Sequence, residues 1–316
     1  MEEEQLSTAF LYAGQGSQKV GMGQDFYEKY ETFREFLDSL ELSFDLKKMM
    51  FEDMDGKLSQ TRYTQPCMAA FAAGVTKLLF EHGITPDETM GLSLGEYGAL
   101  YCAGVFDAKT YVKITEFRGA AMEEAAKNLS CEMSAILGVK SEEIEKVIEN
   151  DTSEGYVTIS NYNCPEQYVI CGDRSAVESV ETILKERFNN RCIRLNVSGP
   201  FHTKYMKPAG EKLEEFFEQI KFNKPVIPVA MNTTGTYLKK EEDIKKLLVR
   251  QVQSAIRIEE DLKNMIEQGT HNFIEIGPGN VLAGFVKKTA RKLGTKVTVT
   301  SISNVEDMEK LLKSQA

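Results

Sequence analysis

GLSLGEYGAL, residues 91–100, places one serine between two glycines, and its reading decides the fold. Gly91-Leu92-Ser93-Leu94-Gly95 fits G-x-S-x-G, the pattern of a sharp strand-to-helix turn that presents a serine hydroxyl. Five residues of this kind also arise by chance, so the context carries the weight. A short strand ends at Gly91, and an apolar helix starts at Leu94. Glycines on both sides let the backbone turn sharply and pack closely. The start of the helix aims N–H groups and a positive dipole end at Ser93, where an oxyanion would form. A serine is a weak nucleophile at neutral pH and needs a base within hydrogen-bond reach.

Working outward, STAFLYAG predicts a buried strand over residues 7–13, closed by the glycine turn GQGS. Phe26, Tyr30, Phe33 and Leu37 recur at helical spacing, a second helix is expected over about 65–82, and Asp107 is placed to cap a third. From about residue 129 the texture changes. Cys131, Met133, Ala135, Leu137 and Val139 alternate as in a half-buried strand, and Ser141 offers an N-cap to a helix with Ile144, Val147 and Ile148 on one face. GYVTIS and QYVICG read as strands joined by NYNCPE. A helix with Val177, Val180, Leu184 and Phe188 inward follows, then CIRLNV with Ile193, Leu195 and Val197 alternating. That order, β-α-β-β-α-β, predicts a self-contained ferredoxin-like α+β subdomain over residues 129–197, inserted between 1–128 and 198–316. After it a helix over 204–220, buried strands at VIPVAMN and HNFIEIG, and a glycine turn into a helix at GPGNVLAGFVKK resume the larger pattern. Strands alternating with helices imply an α/β fold with a mostly parallel sheet flanked by helices.

Three histidines compete for the role of base. His82 sits at a helix end, where it caps carbonyls, and His271 lies in a polar turn before a strand. His202, in VSGPFHTKYM, falls between a strand end and a helix start, the edge at which open α/β sheets bind ligands, and is the expected base. Arg118 shares a helix stripe with Tyr111, Ile114, Thr115 and Met122, so its guanidinium falls on or beside an apolar face. It is either half of a buried ion pair or a fork awaiting a substrate carboxylate.

The bulk composition narrows the classes. The chain has 316 residues, 42% hydrophobic, with a formal net charge of −10, which argues against a nucleic-acid partner. Its six cysteines show neither C-x-x-C pairs nor zinc-like spacing, as expected of a reducing cytoplasm. The acidic start MEEEQ does not read as a secretory signal, and MAAFAAGVTKLLF is too short to span a membrane. GQGSQKVGMG fails as a phosphate loop: the dinucleotide pattern meets Lys19 where it needs glycine, and the P-loop meets Met22 where it needs lysine. A cytoplasmic monomer is expected.

AGQGSQKVGMG, GLSLGEYGAL, FRGAAM, SNYNCPEQYVICG, VSGPFHTKYMKPA and EIGPGNVLAGF, in this order, resemble the malonyl-CoA:acyl carrier protein transacylase family along nearly the whole chain. The resemblance implies a hydrolase-like α/β domain with a ferredoxin-like insertion, and no metal or redox cofactor. It implies Ser93 as nucleophile, His202 as base, and the main-chain N–H groups of Gln15 and Leu94 as oxyanion hole. Arg118 would hold the malonyl carboxylate, the main-chain carbonyl of Gln251 would orient the histidine, and Asn161 and Asn163 would line the pocket. Phe201 with Leu94 forms the apolar pairing that goes with malonyl rather than methylmalonyl. The implied partners are malonyl-CoA and acyl carrier protein. The family usually has histidine before the serine, and this chain has Leu92, so packing around the turn is expected to differ. A thioester hydrolase, a polyketide-pathway acyltransferase and an inactive binding module are the rivals.

Overall fold

A computed structural model describes residues 7–195, 199–240 and 242–315. The first sheet is parallel throughout, in the order β11-β10-β1-β2. Its strands are β1 (Ser7–Tyr12), β2 (Glu88–Gly91), β10 (Thr270–Ile276) and β11 (Thr298–Ile302). The apolar run of β1 reflects burial on both faces. Phe10 and Tyr12 pack into the larger core cluster, whereas Ala9 and Leu11 face the second. Tyr12, Gly91 and Ile276 stand side by side in register, so the turns after three strands open at one carboxyl edge.

The larger cluster is covered by α1 (Gln24–Lys29), α2 (Glu31–Asp38), α3 (Leu46–Phe51), α4 (Thr61–Glu81), α5 (Leu94–Cys102) and α6 (Ala108–Ala126). The single helix expected across Phe26–Leu37 is two, because Tyr30 is extended (φ −108°, ψ 120°) between α1 and α2. Asp107 caps α6 as its position predicts, accepting from the Thr110 N–H at 2.8 Å.

A second sheet holds β3 (Cys131–Leu137), β4 (Val157–Cys164), β5 (Gln167–Asp173) and β6 (Arg191–Arg194), with α7 (Ser141–Asn150) and α8 (Arg174–Phe188) packed on it. Its order, with β9 at Ile256–Arg257, is β6-β3-β5-β4-β9, antiparallel except at the last pair. Several local expectations are corrected here. β3 is buried on both faces, with Met133 and Ala135 in the larger cluster and Ile136 in the sheet's own. β4 runs on through NYNC, leaving only Pro165-Glu166 as the turn. Ser141 is the first helical residue, and Lys140 stands at the N-cap without a side-chain bond. Phe188 and Ile193, expected inside, are exposed because α8 ends and edge strand β6 has only one neighbour; Val197 lies outside the described residues. Nor is the unit closed on itself. The fifth strand, β9 (Ile256–Arg257), comes from the second half of the chain.

The second half begins with a 3-10 turn at Lys204–Met206, then α9 (Lys207–Glu218). VIPVAMN makes little strand: β7 (Ala230–Met231) pairs only with β8 (Thr236–Tyr237), and Val229 forms one bridge to Thr89. Pro225 and Pro228 lack the N–H a ladder needs. α10 (Ile244–Gln251) precedes β9, while α11 (Ile258–Glu267) and α12 (Val281–Leu293) cover the far face of the parallel sheet, and α13 (Val305–Gln315) closes the chain. Among the described residues no helix is long and apolar enough to cross a membrane.

Candidate active site

Ser93 stands between the end of β2 and the first residue of α5 with φ 54° and ψ −100°, a conformation that costs a non-glycine residue energy. The flanking glycines make the turn possible by close approach. A Cβ on Gly91 would lie 2.0 Å from the Gly95 carbonyl group, and one on Gly95 would lie 2.0 Å from Tyr12 O. Asn232 staples the turn from below. Its Oδ1 accepts from the Ser93 N–H at 2.7 Å, and its Nδ2 donates to Gly91 O at 2.8 Å. The strain at Ser93 is therefore held by one amide on a different segment.

His202 also has positive φ, 60°, and its own N–H donates to Val252 O at 3.1 Å. Its Nδ1 lies 2.8 Å from Gln251 O, and its Nε2 lies 2.8 Å from Ser93 Oγ. A carbonyl only accepts, so the proton sits on Nδ1 and Nε2 presents a lone pair to the serine hydroxyl. Burial, reinforced by the charge of Arg118, pushes the imidazole down to about 4, against the pull of Gln251 O. The ring is neutral at pH 7.

Arg118 is wholly buried in α6. Its Nη2 donates to Ser93 Oγ at 3.1 Å and to Gln251 Oε1 at 3.0 Å, and the guanidinium lies 5.3 Å from the Tyr97 ring centre. Nε has no hydrogen-bond partner among the described residues. The ion pair weighed in the sequence is not formed: neither Nη2 partner is a carboxylate. Desolvation works against this cation, and the fork has bonding capacity to spare. Behind it, Gln251 Nε2 donates to Ser93 O at 2.8 Å and also to Glu96 Oε2. Burial pushes Glu96 up to about 8, opposed by the Asn232 N–H, by Gln251 and by Arg118.

The other expected residues divide. Gln15 is fixed by its side chain, which donates to Thr61 Oγ1 at 3.0 Å and accepts from Gln65 Nε2 at 3.3 Å. The main-chain N–H groups of Gln15 and Leu94 have no acceptor among the described residues. Gly14 brings that loop onto the serine turn, for a Cβ there would lie 2.7 Å from Leu92 O. Leu92, at the position where the family usually has histidine, fills this contact with its side chain. Phe201 is buried beside His202. Asn161 lies in β4 opposite Ile256 and accepts from Ser160 Oγ, while Asn163 keeps a buried, unpartnered Oδ1. Neither asparagine bonds to Ser93, His202 or Arg118. His82 caps its helix through Leu78 O at 2.8 Å, as read, and His271 contacts Lys296 O. Among the described residues no cluster of histidine, cysteine and carboxylate side chains could hold a metal.

A serine facing an imidazole lone pair, beside a buried guanidinium, can form and break an ester next to an anionic group. The acyl transferase domain family matches residues 9–315. The chain belongs to this family. It is 39% identical over 310 residues to the malonyl CoA-acyl carrier protein transacylase of Bacillus subtilis (strain 168), covering 97% of this chain and 98% of that one. The crystal structure of malonyl CoA-acyl carrier protein transacylase from Clostridium perfringens superposes with a TM-score of 0.93 at 36% identity, covering 98% of this chain and 97% of that one. A malonyl-transacylase in complex with a type II PKS acyl-carrier protein gives 0.91 at 31% identity, covering 98% and 99%. Within this acyl transferase two site residues escape sequence reasoning. Glu96 lies three residues after Ser93 in a run that reads as an apolar helix, and Asn232 comes from a turn with no motif of its own.

Proposed function

We propose that this acyl transferase moves a malonyl group from malonyl-CoA to the phosphopantetheine thiol of an acyl carrier protein, by way of an ester on Ser93. The observation that carries the reading is the buried Arg118 guanidinium with an unpartnered Nε, next to the serine hydroxyl. A cation held away from water calls for an anion, and a malonyl thioester supplies a carboxylate two bonds from its reacting carbonyl carbon.

Nε2 of His202 takes the Ser93 proton as Oγ attacks the thioester carbonyl. The N–H groups of Gln15 and Leu94 receive the oxyanion, and the Ser93 N–H does not, since Asn232 already holds it. The tetrahedral intermediate collapses, the thiolate of coenzyme A leaves with the proton from His202, and malonyl-serine remains. The carrier thiol then gives its proton to His202 and attacks the ester, and Ser93 leaves and is reprotonated. Gln251 O keeps the imidazole in the tautomer both halves need and stabilises the imidazolium between them. Arg118 holds the acyl group in one pose for two successive nucleophiles. The side chains and the carrier's own prosthetic group suffice for every step.

Phe201 and Leu94 border the acyl group, and Asn161 and Asn163 line the pocket wall contributed by residues 129–197, which we take as the inserted subdomain. We place the protein in the cytoplasm as a monomer working in fatty acid synthesis. A polyketide carrier is the second reading, favoured by the likeness to the transacylase seen with its type II PKS carrier.

Intact-mass measurement after mixing with malonyl-CoA tests the reading. A malonyl adduct is expected on the native protein and none on Ser93→Ala. Persistence of the adduct in that variant would overturn the assignment of the nucleophile. Rapid release of coenzyme A without carrier would point instead to a hydrolase.

A further inference from the structure

We propose that Glu96 is a positioning residue that holds the Arg118 guanidinium in place through the side chain of Gln251. Glu96 stands in the first turn of α5, three residues after Ser93, with no exposed surface. Its Oε1 accepts from the Asn232 N–H at 2.7 Å, and its Oε2 accepts from Gln251 Nε2. The second hydrogen of that amide goes to Ser93 O at 2.8 Å. Both N–H bonds of Gln251 are thereby committed, and its Oε1 is the group left to face Arg118 Nη2 at 3.0 Å.

The direction of this relay is set by what surrounds the amide. Two acceptors, Glu96 and Ser93 O, lie on one side and a guanidinium, which only donates, lies on the other. Turned over, the amide would set N–H against N–H at Arg118 and oxygen against oxygen at the other two. Buried groups so mismatched cost as much as bonds left unmade.

The relay also leaves the fork of Arg118 open. A carboxylate bonded directly to Arg118 would occupy the fork and compete with a substrate anion. Glu96 instead sits one amide away, near enough to act on Arg118 through space, and the guanidinium keeps Nε unpartnered. The other charged or titratable groups facing Glu96 are Arg118 from α6 and Asp261 from α11, with Tyr97 beside it on α5. Asp261 is buried as well, and its carboxyl is raised by burial and by Glu96.

The proposal rests on the reading of Arg118 as the seat of the acyl carboxylate, and the experiment separates the two. Single-turnover formation of acyl-serine is measured from malonyl-CoA and from acetyl-CoA, which has no carboxylate. The proteins are the native one, Glu96→Gln, Arg118→Ala and the double variant, with melting curves. The Glu96→Gln side chain turns one acceptor into a donor, against either Asn232 N–H or Gln251 Nε2. The malonyl-to-acetyl ratio should fall about 10- to 100-fold, the factor carried by one hydrogen bond to a charged group. Arg118→Ala should lower the ratio at least as far, and the double variant no further than Arg118→Ala alone. A lowered ratio in Arg118→Ala with an unchanged ratio in Glu96→Gln would overturn the relay and leave the carboxylate seat standing. An unchanged ratio in Arg118→Ala would overturn both. A purely structural Glu96 would depress both substrates together and hold the ratio constant, which also refutes the proposal. Should Glu96→Gln not fold, Gln251→Leu breaks the next link while keeping the carbonyl that faces His202, and the same fall in ratio is expected.

Discussion

His202 keeps a lone pair at Nε2 because its other nitrogen has only a carbonyl to face. An imidazole held down to about 4 is in its basic form throughout the neutral range. The rate of malonyl-serine formation should therefore stay level as pH drops through the usual histidine range near 6.5 and fall only as it nears 4. Arg118 is the second cause of the depression, after burial, and a positive neighbour disfavours the imidazolium. Its removal in Arg118→Ala should move the acid limb to higher pH. Stopped-time loading assays across pH, with folding checked at each point, decide it, and a limb near 6.5 in the native protein would contradict the geometry. Ser93, His202 and Arg118 are legible in the sequence because each stands in a local pattern that constrains its surroundings: a glycine-flanked turn, a strand-to-helix junction, an apolar stripe. Glu96 and Asn232 are not, since each matters only through partners more than a hundred residues away.

At the scale of the element, α5 presses its first turn against β1 and the end of β2 so closely that glycine is needed at both 95 and 91. Gly95→Ala would drive a methyl group to 2.0 Å from Tyr12 O, a main-chain atom that cannot rotate away. A cost of about 3 kcal/mol or more is expected, since overpacking against backbone is relieved only by moving whole elements. Gly284 in α12 is the contrasting case, because a Cβ there meets nothing within 4 Å. Gly284→Ala should stabilise by about 0.5–1 kcal/mol through the lost freedom of the unfolded chain. Denaturant midpoints for the two variants check this, and equal effects would mean the close approach is not what fixes the turn. The same contrast explains where element reading fails. Periodicity finds α12, which buries one face, and a long apolar run finds α4, which is buried on all sides, but neither finds the break at Tyr30, which is an extended backbone angle inside an unbroken apolar rhythm. It also misses β9, a strand of two residues whose existence depends on β4.

For the whole molecule, net charge is −10, and a carrier protein of acidic character would be repelled on average. Local basic surface would have to prevail. Lys287, Lys288 and Arg291 on α12, with Arg191 at the start of β6, form no ion pair among the described residues, whereas Arg194 is tied to Glu178 and Glu181 and Lys292 to Glu259. Of the basic residues in KKTARK (287–292) and at Arg191 and Arg194, these four are the ones free to meet a partner. Transfer to the carrier should then weaken steeply with added salt, while loading from malonyl-CoA weakens much less, because a Debye length of about 8–10 Å screens surface attraction and leaves buried charge alone. Stopped-flow rates of the two half-reactions over a salt series measure this, and equal slopes would remove the basic surface from the account. The parallel sheet was legible from strands alternating with helices, but the way the second sheet takes β9 from the later part of the chain was not, since nothing local marks which strand a chain will return to. The buried guanidinium of α6 has a thermodynamic corollary. If that cation is the carboxylate seat proposed above, it gains a partner with the substrate, so a donor bearing a carboxylate enters the folding equilibrium as well as the reaction. Selectivity for the acyl group and resistance to unfolding would then be two readings of one guanidinium, and the protein would be at its sturdiest when it is at work.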